Sequence, residues 1–287
     1  MTWSRREFLK FAGIGTATLG VARSGSETVP DQVSLPEIAL QLYSVRMFME
    51  GNMQETLSRV ADIGYRNVET AFWPNGVSHA HAARLLRDTG LTAIAAHVEL
   101  PFGAERDILL RAADAYDCTR MVWHGWPEDE RYGTLDGTLQ LAELYHEAQE
   151  FAAQNGLVLH LHNHWWEFEP LPDGPLPYYV LLEQLSPEIQ FELDTWWIRV
   201  AGQDPARVVG EFGNRASLLH IKDATVITNE GPMVAVGQGM QDFVAVAAAG
   251  AGHTKYMIVE LDSCETDMFD AIADSYVYLI ENQLARA

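Results

Sequence analysis

From residue 38 onward the chain repeats one pattern eight times: a short apolar run, a breaker, then a longer stretch with helical spacing. The apolar runs cover 38–43, 67–71, 92–97, 120–124, 157–163, 190–195, 217–222 and 256–261. Runs this short and this continuously apolar read as parallel strands buried on both faces. Helix signals lie between them. Asn52 can cap a helix that ends near Gly64, Ser78 one that ends near Gly90, and Thr134 a long one that ends near Gly156. A last helix is expected over 266–284.

Strands alternating with helices predict a parallel sheet, and eight such units in a chain of this length predict a closed (β/α)8 TIM barrel. The fold class is therefore α/β, with one barrel domain spanning 36–287. A doubly wound open sheet would carry a glycine-rich nucleotide turn after its first strand. That position reads Gln41-Leu42-Tyr43-Ser44-Val45-Arg46, without glycine, and Gly237-x-Gly239 is an isolated pair.

Residues 1–30 fall outside this pattern. Ser4-Arg5-Arg6-Glu7-Phe8-Leu9-Lys10 is a twin-arginine sequence, followed by a mildly apolar stretch from Phe11 to about Val21 and small residues at 22–26. This order is that of an export leader handled by the Tat machinery. It predicts a periplasmic or extracellular destination. The apolar stretch is too short and too rich in Gly and Thr to be a stable membrane span.

Composition narrows the function. The chain has 287 residues, 48% hydrophobic and 21% charged, enough for one large core. Its formal net charge is -21. A nucleic-acid binder needs Lys and Arg to displace counterions, so that class is excluded, as is docking on an anionic membrane. Cys118 and Cys264 are too few for a disulfide framework. On the barrel reading they lie at opposite mouths, so no bridge is expected.

In a barrel of this kind the active site forms at the C-terminal ends of the strands. The polar residues collected there are Gln41 and Tyr43, Glu69, His97, Trp123, His124 and Trp126, His160, His162 and His164 with Glu167 just beyond, Asp194, His220 and Lys222, and Glu260 and Asp262. Asp194, His220 and Glu260 come from three consecutive strands about 4.8 Å apart, so their side chains can converge on one ion. Carboxylate and imidazole together suit Mn, Mg, Co, Fe or Zn. Residues 160, 162 and 164 alternate onto one face of the fifth strand. His162 is the favoured fourth ligand because it lies nearest that strand's end without leaving it. Gln41, Tyr43, Glu69, His97, Trp123, His124, His164 and Trp197 are expected to contact substrate. Of Trp123, Trp126, Trp165, Trp166, Trp196 and Trp197, two or three are expected to face the pocket, where aromatic faces stack on sugar rings. His79, His81, His146 and His253 fall on helices or their edges and are expected at the surface.

Six segments carry a family resemblance: Gln41-Leu42-Tyr43-Ser44-Val45-Arg46, Ile63-Gly64-Tyr65-Arg66-Asn67-Val68-Glu69, His162-Asn163-His164-Trp165-Trp166-Glu167-Phe168, Leu193-Asp194-Thr195-Trp196-Trp197, Leu219-His220-Ile221-Lys222-Asp223 and Val259-Glu260-Leu261-Asp262. Through them the chain resembles the xylose-isomerase-like TIM barrels of the sugar phosphate isomerase/epimerase group. The resemblance implies one divalent ion held by strands five to eight, hence by Asp194, His220, Glu260 and a residue of strand five, with Lys222 beside it on a substrate oxygen. In epimerases of that group the strand-five ligand is Glu, and it shuttles a proton with the strand-eight Glu. Here that strand offers His, with Glu167 slightly later. Endonuclease IV is a relative too, but its zinc site needs a His soon after the strand-six Asp. Trp196 and Trp197 stand there instead.

The expectation is a sugar isomerase or epimerase. Glu260 takes a proton beside a carbonyl, Glu167 or His162 returns one, and Lys222 steadies the enediolate oxygen. A dehydratase or keto-glycoside lyase would use the same site and lose mass. A non-catalytic sugar-binding barrel would have no need of the metal. A phosphorylated substrate is disfavoured, because no basic cradle is visible. A homo-oligomer is compatible with this reading.

Overall fold

The computed structural model describes residues 34–172 and 174–287; the expected leader over 1–30 lies outside them. Eight strands form the sheet: β1 (Glu37–Gln41), β2 (Asn67–Thr70), β3 (Thr92–Val98), β4 (Arg120–Trp123), β5 (Val158–His162), β6 (Gln190–Asp194), β7 (Leu218–Ile221) and β8 (Tyr256–Val259). All are parallel, each pairs with the next, and β8 pairs back onto β1, which closes the barrel in sequence order. This is the (β/α)8 barrel expected from the repeat.

The helices are α1 (Arg46–Ile63), α2 (His79–Asp88), α3 (Glu105–Tyr116), α4 (Leu135–Gln154), α5 (Pro177–Gln184), α6 (Thr195–Val200), α7 (Pro205–Phe212), α8 (Phe243–Gly250) and α9 (Met268–Glu281). Ser78 Oγ accepts from His81 N–H and Thr134 Oγ1 from Gly137 N–H, so both expected caps are in place. The first helix begins earlier than Asn52. Asn52 is non-helical inside α1 (φ -159°, ψ 93°) and caps only the second half, accepting from Glu55 N–H. The last helix falls inside the expected 266–284, at Met268–Glu281, and Asp267 caps it. No described helix is long and apolar enough to cross a membrane.

Strand periodicity divides the core in two. Outward-facing Leu40, Leu159, Leu161, Phe191, Leu193, Leu219, Ile221, Met257 and Val259 pack beneath the helices. Inside the barrel, Ala39, Ile94, Ala95, Val122, Leu218 and Ile258 form a small apolar plug. Two residues further along the same strands the lumen turns polar: Gln41, His220 and Glu260 follow Ala39, Leu218 and Ile258 on the inward face. The plug is therefore the floor on which the site is built.

Cys118 is buried near the start of β4, Cys264 lies past the end of β8, and both are free thiols. His79 Nδ1 is bonded to the Tyr116 hydroxyl and His146 Nε2 accepts from Ser186 N–H, so these half-buried histidines tie helices to their neighbours. Gly237 and Gly239 spend their N–H groups on the buried Asp223 carboxylate, at 3.0 and 2.8 Å, and cradle no phosphate.

Candidate functional site

Four side-chain ties hold the strand ends in register. Asn163, just past β5, accepts from Asp194 N–H through Oδ1 and donates through Nδ2 to Asp194 C=O. Thr195 Oγ1 donates to His220 C=O, Ser44 Oγ accepts from Leu261 N–H, and Gln41 Nε2 donates to Glu69 Oε2. These residues are fully or almost fully buried, so each tie spares a polar group an unpaired burial.

Asp194 ends β6 and opens α6. Its Oδ1 accepts from Trp196 and Trp197 N–H, both at 3.0 Å, which fixes the carboxylate and turns Oδ2 into the site. Oδ2 receives no well-aligned hydrogen bond; its nearest cation is Lys222 Nζ at 3.1 Å. Lys222 Nζ also lies 2.8 Å from Glu260 Oε2 and 3.0 Å from Asp262 Oδ2. His220 Nδ1 is 2.8 Å from Glu260 Oε2 and 3.8 Å from Asp194 Oδ2. Ligand atoms of Asp194, His220 and Glu260 all lie within 4.8 Å of one another.

Below this triad lies a second layer. His220 Nε2 is 2.7 Å from Glu69 Oε2 and 3.0 Å from Glu192 Oε1. Glu192 Oε1 is also 3.0 Å from His97 Nε2 and 3.1 Å from His162 Nδ1. Glu192 is not a strand-end residue: it sits one inward position deeper than Asp194. The alternation in Gln190-Phe191-Glu192-Leu193-Asp194 was the signal: on one strand, polar residues two apart share a face.

Burial and charge set the protonation states. Burial alone would raise Glu260, but Lys222 and His220 outweigh it and hold the carboxyl well below its ordinary range. Burial pushes Asp194 up to about 6 against the pull of Lys222. Burial would lower Lys222, yet Asp194, Asp262 and Glu260 keep it firmly charged. Burial lowers His162 to about 3 and His164 well below its usual value, so both rings are neutral. His97 goes the other way: Glu69 and Glu192 overcome burial and raise it to about 10.

A cavity of 380 Å³ opens above the triad. Tyr43, His97, His124, His162, His164, Trp197, Lys222 and Glu260 line it. Gln41 and Glu69 lie beneath it, fully buried, and Trp123 packs at a tilt against His124 outside the lining. Of the six tryptophans near the strand ends, Trp126, Trp165 and Trp197 face the cavity, while Trp166 and Trp196 are buried in the packing. Glu167 is not at the cavity. Its Oε2 accepts from His164 N–H, the side chain is fully buried, and burial drives its pKa well up. The turn at 163–168 has no period, so the direction of this side chain could not be read from spacing.

The donor set fits a divalent ion. Two carboxylates and an imidazole converge, neutral His162 stands beside them, and buried Asp194 Oδ2 has spare accepting capacity.

Several solved structures share the fold of this chain. A sugar phosphate isomerase/epimerase from Parabacteroides distasonis is 22% identical, with TM-score 0.73, over 92% of this chain and 100% of that one. The probable 3-DHS dehydratase of petrobactin synthesis from Bacillus anthracis is 12% identical, with TM-score 0.67, over 86% and 99%. An L-ribulose 3-epimerase is 17% identical, with TM-score 0.65, over 87% and 95%. At these identities the likeness shows the fold. Among curated proteins none matches this chain in sequence. Residues 57–264 match the family described as xylose isomerase-like TIM barrel, and the chain belongs to that family.

Proposed function

We propose that this barrel is a metal-dependent isomerase or epimerase of a sugar-like carbonyl compound. The observation that carries the reading is the convergence of Asp194, His220 and Glu260 at the floor of a cavity, with a buried, charged Lys222 beside them. Asp194, His220 and Glu260, with His162 as fourth ligand, would hold the ion. When bound, it would supply Lewis acidity that makes a C–H beside the carbonyl easier to ionise.

The chain's own residues perform the rest. Glu260 is ionised and lines the cavity, so it is the group that takes the proton. Lys222 places its ammonium where negative charge develops on the substrate oxygen. His162 is neutral and turns its one N–H to Glu192, so it has no proton to give; the Glu260 carboxyl, protonated once it has taken the proton, is the group that returns it, to the neighbouring carbon. Trp126, Trp165 and Trp197 offer apolar faces to a sugar ring, and the surrounding walls limit water at the reacting carbon.

The test incubates the protein, loaded with Mn, Co or Zn, with ketopentoses and ketohexoses in D₂O. Deuterium incorporation at carbon in a product of unchanged skeleton and composition supports the reading. Loss of water or of a sugar unit would replace it with elimination at the same site. Sugar binding that is equal with and without metal, and no exchange, would leave only a binding barrel. The twin-arginine leader adds a proposed destination outside the cytoplasm, tested by Arg5→Lys/Arg6→Lys and fractionation of the expressing cells.

A further inference from the structure

One oxygen of Glu192 serves three imidazoles from three strands. His97 Nε2 on β3, His162 Nδ1 on β5 and His220 Nε2 on β7 lie 3.0, 3.1 and 3.0 Å from Glu192 Oε1. The carboxylate is fully buried, and its other oxygen has no partner. An ionised carboxylate can only accept, so each nitrogen that faces it carries the hydrogen. In a neutral imidazole the lone pair then sits on the opposite nitrogen. For His162 that opposite nitrogen is Nε2, on a ring that lines the cavity. His220 is different: it faces carboxylates through both nitrogens, Glu69 and Glu192 at Nε2 and Glu260 at Nδ1, so it carries a hydrogen on each and Glu192 does not choose its tautomer.

We infer that Glu192 is a positioning residue, which fixes the proton of His162 on Nδ1 so that this ring presents Nε2 to the metal position. The inference rests on the reading of the triad as a metal site. It assigns Glu192 no contact with substrate. Strand β6 supplies both parts of the device: Asp194 at its end reaches the site, and Glu192 two residues earlier orients the His162 ring beside it. The alternative is that Glu192 is itself a ligand, because it lies with His97, His162 and His220 within 4.8 Å. The experiment separates the two.

The first measurement is the long-range ¹H–¹⁵N spectrum of the histidine rings in the metal-free, full-length protein. A single Nδ1–H tautomer is expected for His162. A dominant Nε2–H tautomer would overturn the inference without any variant. In Glu192→Gln, the amide can accept through oxygen or donate through nitrogen, so His162 should become a mixture of tautomers while circular dichroism shows the fold intact. The second measurement is Co²⁺ titration. Glu192→Gln should bind about 10- to 100-fold more weakly, with an unchanged visible spectrum at saturation. Unchanged affinity, or a saturated spectrum that reports a different ligand set, would overturn the positioning role. If the wild type binds no Co²⁺, the metal reading fails, and the tautomer measurement still decides the role of Glu192.

Discussion

The Lys222 ammonium lies 2.8 Å from Glu260 Oε2 and is almost completely buried, so the candidate base and its neighbouring cation share one pocket of low polarity. Lys222 neutralises part of the charge of Asp194, Glu260 and Asp262, and it competes for the same oxygens that an ion would use. Lys222→Met should therefore separate binding from chemistry. Divalent-ion affinity should rise, on the order of tenfold, because the repelling cation is gone. Turnover should fall by about 100-fold or more as the developing oxyanion loses its partner. Calorimetric titration and initial rates on the same protein check the pair; a fall in both would show that Lys222 supports the ion instead of opposing it.

The purified wild-type protein should carry about one divalent ion per chain. Asp194→Ala/His220→Ala should lose it, as read by elemental analysis. Uptake should weaken as the pH drops through about 6, where Asp194 takes up a proton and the ion must compete with it. Retained metal in the double variant would move the site elsewhere.

Glu167 and Glu260 should respond very differently to loss of charge. Glu167 lies off the cavity and spends its carboxyl on His164 N–H, so Glu167→Gln should leave turnover within a few-fold of wild type, with Gln accepting from His164 N–H in its place. Glu260→Gln should lower turnover by about 10²–10⁴-fold, the usual contribution of a general base. Parallel rate measurements on the two variants check this. A collapse in Glu167→Gln would place that carboxyl in the reaction after all.

His97 links stability to alkaline pH. Its folded-state pKa is raised to about 10 by Glu69 and Glu192, above an unfolded value of about 6.5. The stabilisation is complete below the unfolded value and is lost as the pH rises through about 10. Urea midpoints of the metal-free protein should fall between pH 8 and 10. His97→Gln should flatten that decline. Parallel slopes in wild type and variant would contradict it.

Gly239 should tolerate no side chain. A Cβ there would stand 2.2 Å from Asp223 Oδ1 and 2.4 Å from Ala224 C=O, inside the carboxylate-centred turn. Gly239→Ala should cost about 1–3 kcal/mol by chemical denaturation. Gly76→Ala meets no atom within 4 Å and serves as the control, carrying only the strain of its φ of 84°.

The barrel is legible in the linear pattern, because the eightfold alternation of short buried runs with capped helices admits few other topologies, and the observed caps at Ser78 and Thr134 are local hydrogen bonds. The same pattern tells which residues stand at strand ends, since Asp194 closes β6 and His220, Lys222 and Glu260 stand at or just past the ends of β7 and β8. Tertiary structure decided which of them meet. Closure of the barrel brings Glu69 of β2 within 2.7 Å of His220 on β7, a relation with no trace in linear spacing. Register decided that Glu192 shares a layer with His97 and His162, because the depth of a side chain depends on strand stagger as well as on its period of two. Packing decided the loops. Glu167 turned beneath His164, and Trp126, Trp165 and Trp197 turned toward the cavity, because an aperiodic turn has no face of its own until its neighbours provide one.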